Sequence, residues 1–320
     1  MTDVRPSAGV PPPPDDAPPA SVEQWVPRVE RSADAVSLSA ARGLHDLLDR
    51  APPAPRTGDE LPVLWHWLAF LPRARQSTLG ADGHPPTGTF LPPMADRRRM
   101  FSGGRVAMNA PIEVGRPLRR SSTVTSVERK RGRTGELTFV EVTSEITGDV
   151  AEGSEPWGRS AGDVIAADAT PLLHERVDLV YLPRTSTPVA PTVAAAQDWD
   201  VEHVVAMSTS LLFRFSALTY NAHRIHYDRD FAVGVEGYPA LVVHGPLQAL
   251  LLAQLAASLH PASTVVTFEF RAVAPAYDTA DLVLRARTGE HLGGGNAVVE
   301  LGAFSAGIQT MRATATLRRR

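Results

Sequence analysis

Apolar positions recur along this chain with two different periods, and the change of period marks its elements. Between Asp34 and Arg50, the residues Val36, Ala40, Leu44, Leu47 and Leu48 fall on one helical face. That spacing predicts a helix which Asp34 caps and the run APPAP at 51–55 ends. An apolar segment, Val63–Leu71, follows, then a loop rich in glycine and proline over about 72–99. Through Thr123–Val127 and Leu137–Val142 apolar residues recur among polar ones, on either side of a glycine-bearing turn at Lys130–Gly135. This is the pattern of an antiparallel hairpin. Residues 148–175, with scattered acids, alanine and glycine, read as a linker.

The second half repeats the theme. His203–Phe215 reads as a strand leading into a polar loop, Ser216–Gly237, and a helix follows at Pro246–Leu259. That helix is apolar almost all round, interrupted only by Gln248, Gln254 and Ser258, which predicts protein on every side of it. Pro246 suits the first helical position, where its missing N–H would have no partner anyway. Gly245 leaves room for another group to approach the backbone. Four turn-bounded, β-rich segments close the chain: Val265–Val273, Asp281–Arg287, Ala297–Phe304 and Gly307–Leu317. One helix followed by consecutive antiparallel strands, occurring twice, is an α+β signature and speaks against a doubly wound sheet. A buried helix gripped by a curled antiparallel sheet is the hotdog arrangement. The expected fold is therefore a double hotdog, two curled antiparallel sheets each wrapped around a central helix.

Composition narrows the chemistry. Lysine and arginine number 32 against 35 aspartates and glutamates, a balance that argues against a broad nucleic-acid-binding face. No cysteine is present, which removes disulfides, thiol nucleophiles and cysteine-held metals. No run approaches the ~18 apolar residues of a membrane span. The first 20 residues have no apolar core for a secretory signal; their prolines and aspartates predict a disordered leader. A cytoplasmic setting is expected.

The polar loop reads SALTYNAHRIHYDRDFAVGVEG and holds Asn221, His223, Arg224, His226 and Asp228 close together. His244 and Gly245 then lead into the enclosed helix, whose first turn offers unpaired N–H groups and the positive end of the macrodipole. An imidazole loop near such an N-terminus supplies two halves of an acyl-group site: one moves protons, the other polarises a carbonyl oxygen. Other readings stand beside this one. His223 either serves the chemistry or shapes the loop, and His244 reads as structural. The His-x-x-His pair lacks a defined third ligand, so no metal is expected. Tyr220 either donates a hydrogen bond in the pocket or packs. Gly293–Gly295 has no strand–helix unit around it and is no phosphate loop.

The run FSALTYNAHRIHYDRDFA followed by VHGPLQALLL resembles the hydratase-2, or MaoC-like, enoyl-thioester hydratases of hotdog fold. Within them it is most similar to the double-hotdog branch described as hydroxyacyl-thioester dehydratase type 2, which includes mesaconyl-C4-CoA and itaconyl-CoA hydratases. The match is strongest over about 200–275; 89–147, with TFLPPMADRRRMFSGGRV, resembles the branch's degenerate N-terminal hotdog. Composition predicts a disordered leader (1–20) and a linker (148–195), and the resemblance implies a degenerate N-terminal hotdog (21–147) and a catalytic C-terminal hotdog (196–320). It implies reversible addition of water to an α,β-unsaturated acyl-CoA, with an acyl-thioester as substrate and no separate cofactor. Nucleic acid and membrane are not expected as partners; a homodimer is.

The family loop, F-S-G-D-x-N-P-x-H-x-D, carries over residue by residue. His226 takes the place of the catalytic histidine, His223 stands where the family has asparagine, and Asn221 where it has the catalytic aspartate. Gly245 corresponds to the glycine whose N–H bonds the thioester oxygen. An amide cannot accept a proton at neutral pH, so Asn221 is expected to position water and His226 to act as general acid and base. Asp228 is expected to fix the tautomer of His226. The basic cluster Arg97, Arg98 and Arg99, with Arg73, Arg75 and Arg105 nearby, either attracts the coenzyme A phosphates or is a solvated loop. Arg224 either receives a carboxylate of a dicarboxylic acyl group or pairs with Asp228 or Asp230. The alternatives to a hydratase are a hotdog acyl-CoA thioesterase and a non-catalytic acyl-thioester-binding subunit.

Overall fold

Each half of the chain opens on a short strand and a serine-capped helix. In the computed structural model, which describes residues 21–94, 97–132, 135–148, 170–183, 198–292 and 296–320, β1 spans Glu30–Asp34 and α1 Leu38–Leu47. The Ser37 hydroxyl accepts the Ala40 N–H at 3.1 Å, so the helix starts later than expected. Asp34 ends β1 instead, where its carboxylate accepts the Ala35 and Phe70 amides. In the second half β6 spans Val201–Val205, and Thr209–Leu218 forms α2, capped by Ser208. The expected strand over His203–Phe215 is therefore a short strand followed by a helix. Leu212, Phe215 and Ser216 supply the buried face at 3.6 spacing.

The remaining strands are β2 (Arg97–Met108), β3 (Leu118–Gly132), β4 (Gly135–Gly148), β5 (Leu173–Pro183), β7 (Ser263–Ala272), β8 (Leu282–Leu292), β9 (Asn296–Ser305) and β10 (Ile308–Arg319). The predicted hairpin is β3–β4, and the four closing strands all form. β5 lies inside the segment read as a linker. It pairs between β4 and β2 and was hidden because its residues are mostly half-exposed on both faces. The leader 1–20, most of the linker and Gly293–Gly295 lie outside the described residues.

All ten strands join in one antiparallel sheet, ordered β1-β3-β4-β5-β2-β7-β10-β9-β8-β6. Counted outward from the β2–β7 seam, both halves run second, fifth, fourth, third, first, so the architecture is a double hotdog with a shared sheet. At the seam Gly103 pairs with Arg271 and Gly104 with Phe270. A Cβ on Gly103 would fall 2.6 Å from the Phe270 carbonyl oxygen, and glycine is what lets the two backbones meet there.

The halves differ inside. The 15-residue helix α3, Gly245–Leu259, lies in the concavity of β7–β10 and is buried on nearly every side. Its polar Gln248 is satisfied by the Thr310 hydroxyl at 2.7 Å. In the first half, the stretch between α1 and β2 holds prolines at 52, 53, 55, 62, 72, 85, 86, 92 and 93 and cannot sustain such a helix. Among the described residues it forms only short turns, at Trp65–Leu68 and Gln76–Thr78. The expectation of a central helix in each half thus holds for the second alone. Val63, Leu64, Trp65 and Leu68 fill the first half's core. His66 and Trp67 reach the buried carboxylate of Glu175 on β5, at 3.2 and 2.6 Å. Burial opposes that charge, but His66, Trp67 and Arg120 outweigh it and hold the Glu175 carboxyl below its usual range.

Candidate active site at the mouth of the enclosed helix

The polar loop after α2 folds back on the entry to α3. Arg224–His226 makes one tight turn, and the Val242 N–H donates to the Ile225 carbonyl at 3.0 Å. This brings the His226 ring under the Val242 carbonyl, 2.7 Å from Nδ1. A carbonyl oxygen only accepts, so Nδ1 carries the proton and Nε2 presents a bare lone pair. Burial, above all, lowers the His226 pKa to about 4, with His84 adding to the effect, so the ring is neutral at pH 7. The backbone carbonyl of Val242 therefore fixes the tautomer, in place of the expected Asp228.

His226 lies flat on His244, with ring centroids 3.7 Å apart and planes 20° from parallel. His244 is fully buried, and its Nε2 sits 2.8 Å from the Ser216 hydroxyl on α2. Burial, then the neighbouring imidazoles, push it well below the usual histidine range, as suits a neutral structural ring. Gly245 is the next residue, so this stack sets the His226 ring beside the N-terminus of α3. No side chain caps that end of the helix. A Cβ on Gly245 would come within 2.8 Å of Phe101 on β2, whose ring stacks on Phe270 and meets Trp67 edge-on. The first half of the chain thus forms one wall of the site.

A second row of rings continues outward. His223 stands edge-on to His226, 5.4 Å between centroids, and 4.0 Å from His84, which belongs to the loop between α1 and β2. His84 Nδ1 lies 3.1 Å from the Asp82 carboxylate. That hydrogen bond is the main reason the Asp82 carboxyl stays well below its usual range. Burial, then His84 and His226, hold His223 far below the normal histidine range; burial also lowers His84, although Asp82 works against it. Asp82, His84 and His223 bring ligand-type atoms within 4.8 Å of one another. Two features describe the state of this cluster. Asp82 and His84 bond each other, and the Arg99 cation opposes a positive charge on both imidazoles.

The other expected residues take specific places. The Asn221 amide oxygen accepts the His223 N–H at 3.1 Å and so shapes the turn. Arg224 donates twice to Asp228 and once to the Ala81 carbonyl, and its guanidinium covers Phe231; it clamps the loop and is not a free receptor for a carboxylate. Asp228 accepts these bonds and the Phe231 N–H. Tyr220 is exposed, with φ 52°, and lies outside the ring cluster. Arg97 pairs with Glu136, and Arg98 with the buried Glu236 on the other half, so neither stands ready for a phosphate. Arg99, on the same strand, is the arginine whose charge reaches His84 and His223. Asp82, His84, Phe101 and Glu236 were not anticipated. The sequence offered only a faint signal, an Asp-x-His within the glycine turn GADGH.

A helix sheathed by a curled sheet, its bare amides beside a neutral imidazole with a free lone pair, defines a hotdog enoyl-thioester hydro-lyase. Residues 64–278 match the family model "Hydroxyacyl-thioester dehydratase type 2". The chain is 41% identical over 265 residues to mesaconyl-C(4)-CoA hydratase of Chloroflexus aurantiacus, covering 82% of this chain and 88% of that protein. It is 23% identical to the mitochondrial hydroxyacyl-thioester dehydratase type 2 of Schizosaccharomyces pombe, covering 67% of this chain and 73% of the other. The chain belongs to the hydroxyacyl-thioester dehydratase type 2 family, within the MaoC-like hydratases, and is a hydro-lyase. Solved structures agree in fold. A MaoC-like dehydratase matches with TM-score 0.65 at 15% identity, over 94% of this chain and all of the other. One from Phytophthora capsici matches with TM-score 0.64 at 11% identity, over 94% and 98%. Among the described residues no helix is long and apolar enough to cross a membrane.

Proposed function

We propose that this enzyme adds water reversibly to the double bond of a short dicarboxylic enoyl-CoA of the mesaconyl-C4 type, with His226 and the Gly245 amide as its working pair. The observation that carries the reading is the bare Nε2 of His226 set beside the uncapped N-terminus of α3. Nε2 takes a proton from water as the oxygen attacks the β-carbon. Charge then moves to the thioester oxygen, where the Gly245 N–H and the helix dipole stabilise it; loss of one such donor typically costs ~10²–10³ in rate. The α-carbon is protonated next, and dehydration runs the same path backwards.

The dicarboxylic preference rests on Arg99. Its neighbours on β2 are paired with glutamates, while Arg99 lies beside the Tyr181 hydroxyl and its charge falls on the imidazole cluster. A charged hydrogen bond contributes about 1.5–3 kcal/mol, so Arg99→Gln is expected to raise KM for a dicarboxylic enoyl-CoA by ~10–100-fold and to change crotonyl-CoA little. A cytoplasmic homodimer completes the proposal. The test is hydration of a panel containing crotonyl-, itaconyl- and mesaconyl-C4-CoA by the wild type and His226→Gln. Release of free coenzyme A without a hydrated product refutes the reading, as does unchanged turnover in His226→Gln.

A further inference from the structure

The family pattern places a carboxylate where this chain has Asn221, and here that side chain is occupied in a turn. A carboxylate nevertheless reaches the imidazole cluster, from the other half of the molecule. Residues 80–84 form a closed turn, in which the Gly80 N–H donates to the His84 carbonyl and the Gly83 N–H to the Gly80 carbonyl, both at 2.9 Å. The turn is fastened backbone to backbone onto the active loop. The Arg224 N–H donates to the Asp82 carbonyl at 2.9 Å, and the Arg224 guanidinium to the Ala81 carbonyl at 3.0 Å. Gly83 has φ +87°, and a Cβ there would fall 1.8 Å from the Ala222 carbonyl oxygen. Only glycine permits this docking, and what the docking presents is Asp82 bonded to His84, with His84 against His223 and His223 against His226.

Hydration needs a proton removed at the β-carbon and one delivered at the α-carbon. His226 is poorly suited to keep the proton it takes, since its partners are a carbonyl and neutral rings. Of the four clustered imidazoles, His84 is the one with a hydrogen-bonded carboxylate to balance an imidazolium. Burial is what most opposes a charge on His84; of the groups around it, Asp82 and Glu236 favour its protonation, and Arg99 and His223 oppose it.

We propose that the Asp82–His84 pair is the second proton-transfer station of this hydratase, so that the two halves of the chain share the chemistry. The inference rests on the hydratase reading above. The water O–H bond breaks, its proton goes to His226 Nε2 and its oxygen bonds the β-carbon, while the π electrons move to the thioester oxygen. His226 returns this proton to solvent water, and His84, its charge balanced by Asp82, takes one up from the same solvent. The enolate then re-forms its C=O and the α-carbon takes the proton from His84. Every group ends as it began, and the water has been added across the double bond.

The experiment compares full-length wild type, His84→Gln, Asp82→Asn and His226→Gln in hydration of crotonyl-CoA. Folding is checked by circular dichroism and by binding of unreactive butyryl-CoA. His84→Gln is expected to lower kcat by ~10²-fold with KM within ~3-fold, and Asp82→Asn to lower it by ~10-fold. By ¹⁵N NMR, His84 is expected to titrate at higher pH than His226 in the wild type, and to move toward it in Asp82→Asn. The proposal is overturned if His84→Gln keeps kcat while KM rises, or if His84 titrates below His226. A wild type that hydrates no member of the panel sinks the hydratase reading and this inference with it. An active wild type matched by His84→Gln sinks the inference alone.

Discussion

Gly245→Ala isolates the geometry of the helix mouth from its hydrogen-bonding capacity, because alanine keeps the N–H. The added Cβ would sit 2.8 Å from Cδ1 of Phe101. Ordinary carbon contacts begin near ~3.5 Å, so about 0.7 Å of separation must be found. Phe101 cannot supply it freely, being stacked on Phe270 at 5.5 Å and edged by Trp67 at 6.2 Å. The first turn of α3 must move instead, and with it the Gly245 amide proposed to bond the thioester oxygen. Overpacking of this kind costs about 1–3 kcal/mol of stability, and a displacement near 1 Å in a reacting geometry costs ~10² in rate. Gly245→Ala should therefore lose ~30–100-fold in kcat/KM for crotonyl-CoA hydration and about 1–3 kcal/mol in urea unfolding. Phe101→Val removes the obstructing ring atoms, so Gly245→Ala/Phe101→Val should turn over faster than Gly245→Ala alone. A single variant with wild-type rate and stability, or a double variant slower than the single, would refute the argument that Phe101 and the α3 mouth are in register.

The remaining predictions concern the joint between the halves and the buried rings. Arg98→Met leaves the Glu236 carboxylate buried without its guanidinium partner and should cost about 3–5 kcal/mol in urea unfolding. Arg98→Met/Glu236→Met should recover at least half of that, and full stability in the single variant would refute the assignment. The His226 ring is held neutral, so the folded state binds its proton only near pH 4, whereas the unfolded chain binds one near 6.5. Stability contributed by this ring is present above 6.5 and lost as the pH falls from there towards 4, about 2 kcal/mol by pH 5. His226→Gln should show a correspondingly shallower acid loss in urea titrations between pH 7 and 5, and an equal slope would refute the burial argument.

The parts of this fold that were legible are those whose burial is one-sided or complete. The α3 sequence is apolar all round because β7–β10 enclose it, and the closing strands alternate because one face meets that helix. Elements with two half-exposed faces left weaker marks. β3 carries LRRSSTVTSVERKRG, and only its central residues alternate, although its pairing with β4 runs from Leu118 to Gly132. The seven-residue run TSLLFRF of α2 fits either period until Ser208 is recognised as its cap. In the candidate site, the meeting of His226 with His244 and Gly245 was readable because the three lie within one local stretch. The partners of Arg97 and Arg98 were not, since Glu136 and Glu236 come from other segments.

The matched strand order of the two halves makes their inner difference informative. A half-sheet of this kind ordinarily grips a helix, and the first half holds a proline-rich loop there instead. A helix occupies its concavity along one axis and ends where the sheet ends. An irregular segment of the same chain can leave the concavity and cross to the neighbouring half. This one does both: Trp67 stays inside against Glu175 and Phe101, while Gly80–His84 runs out to bond the loop that carries His223 and His226. With a loop in place of the first helix, there is one amide-lined helix mouth among the described residues, and the loop brings Phe101's neighbour Trp67 and the Asp82–His84 pair towards it. The seam glycines, the Arg98–Glu236 pair and the Gly83 docking all act across that boundary, so the second half on its own would lose part of the surroundings of His223 and His226.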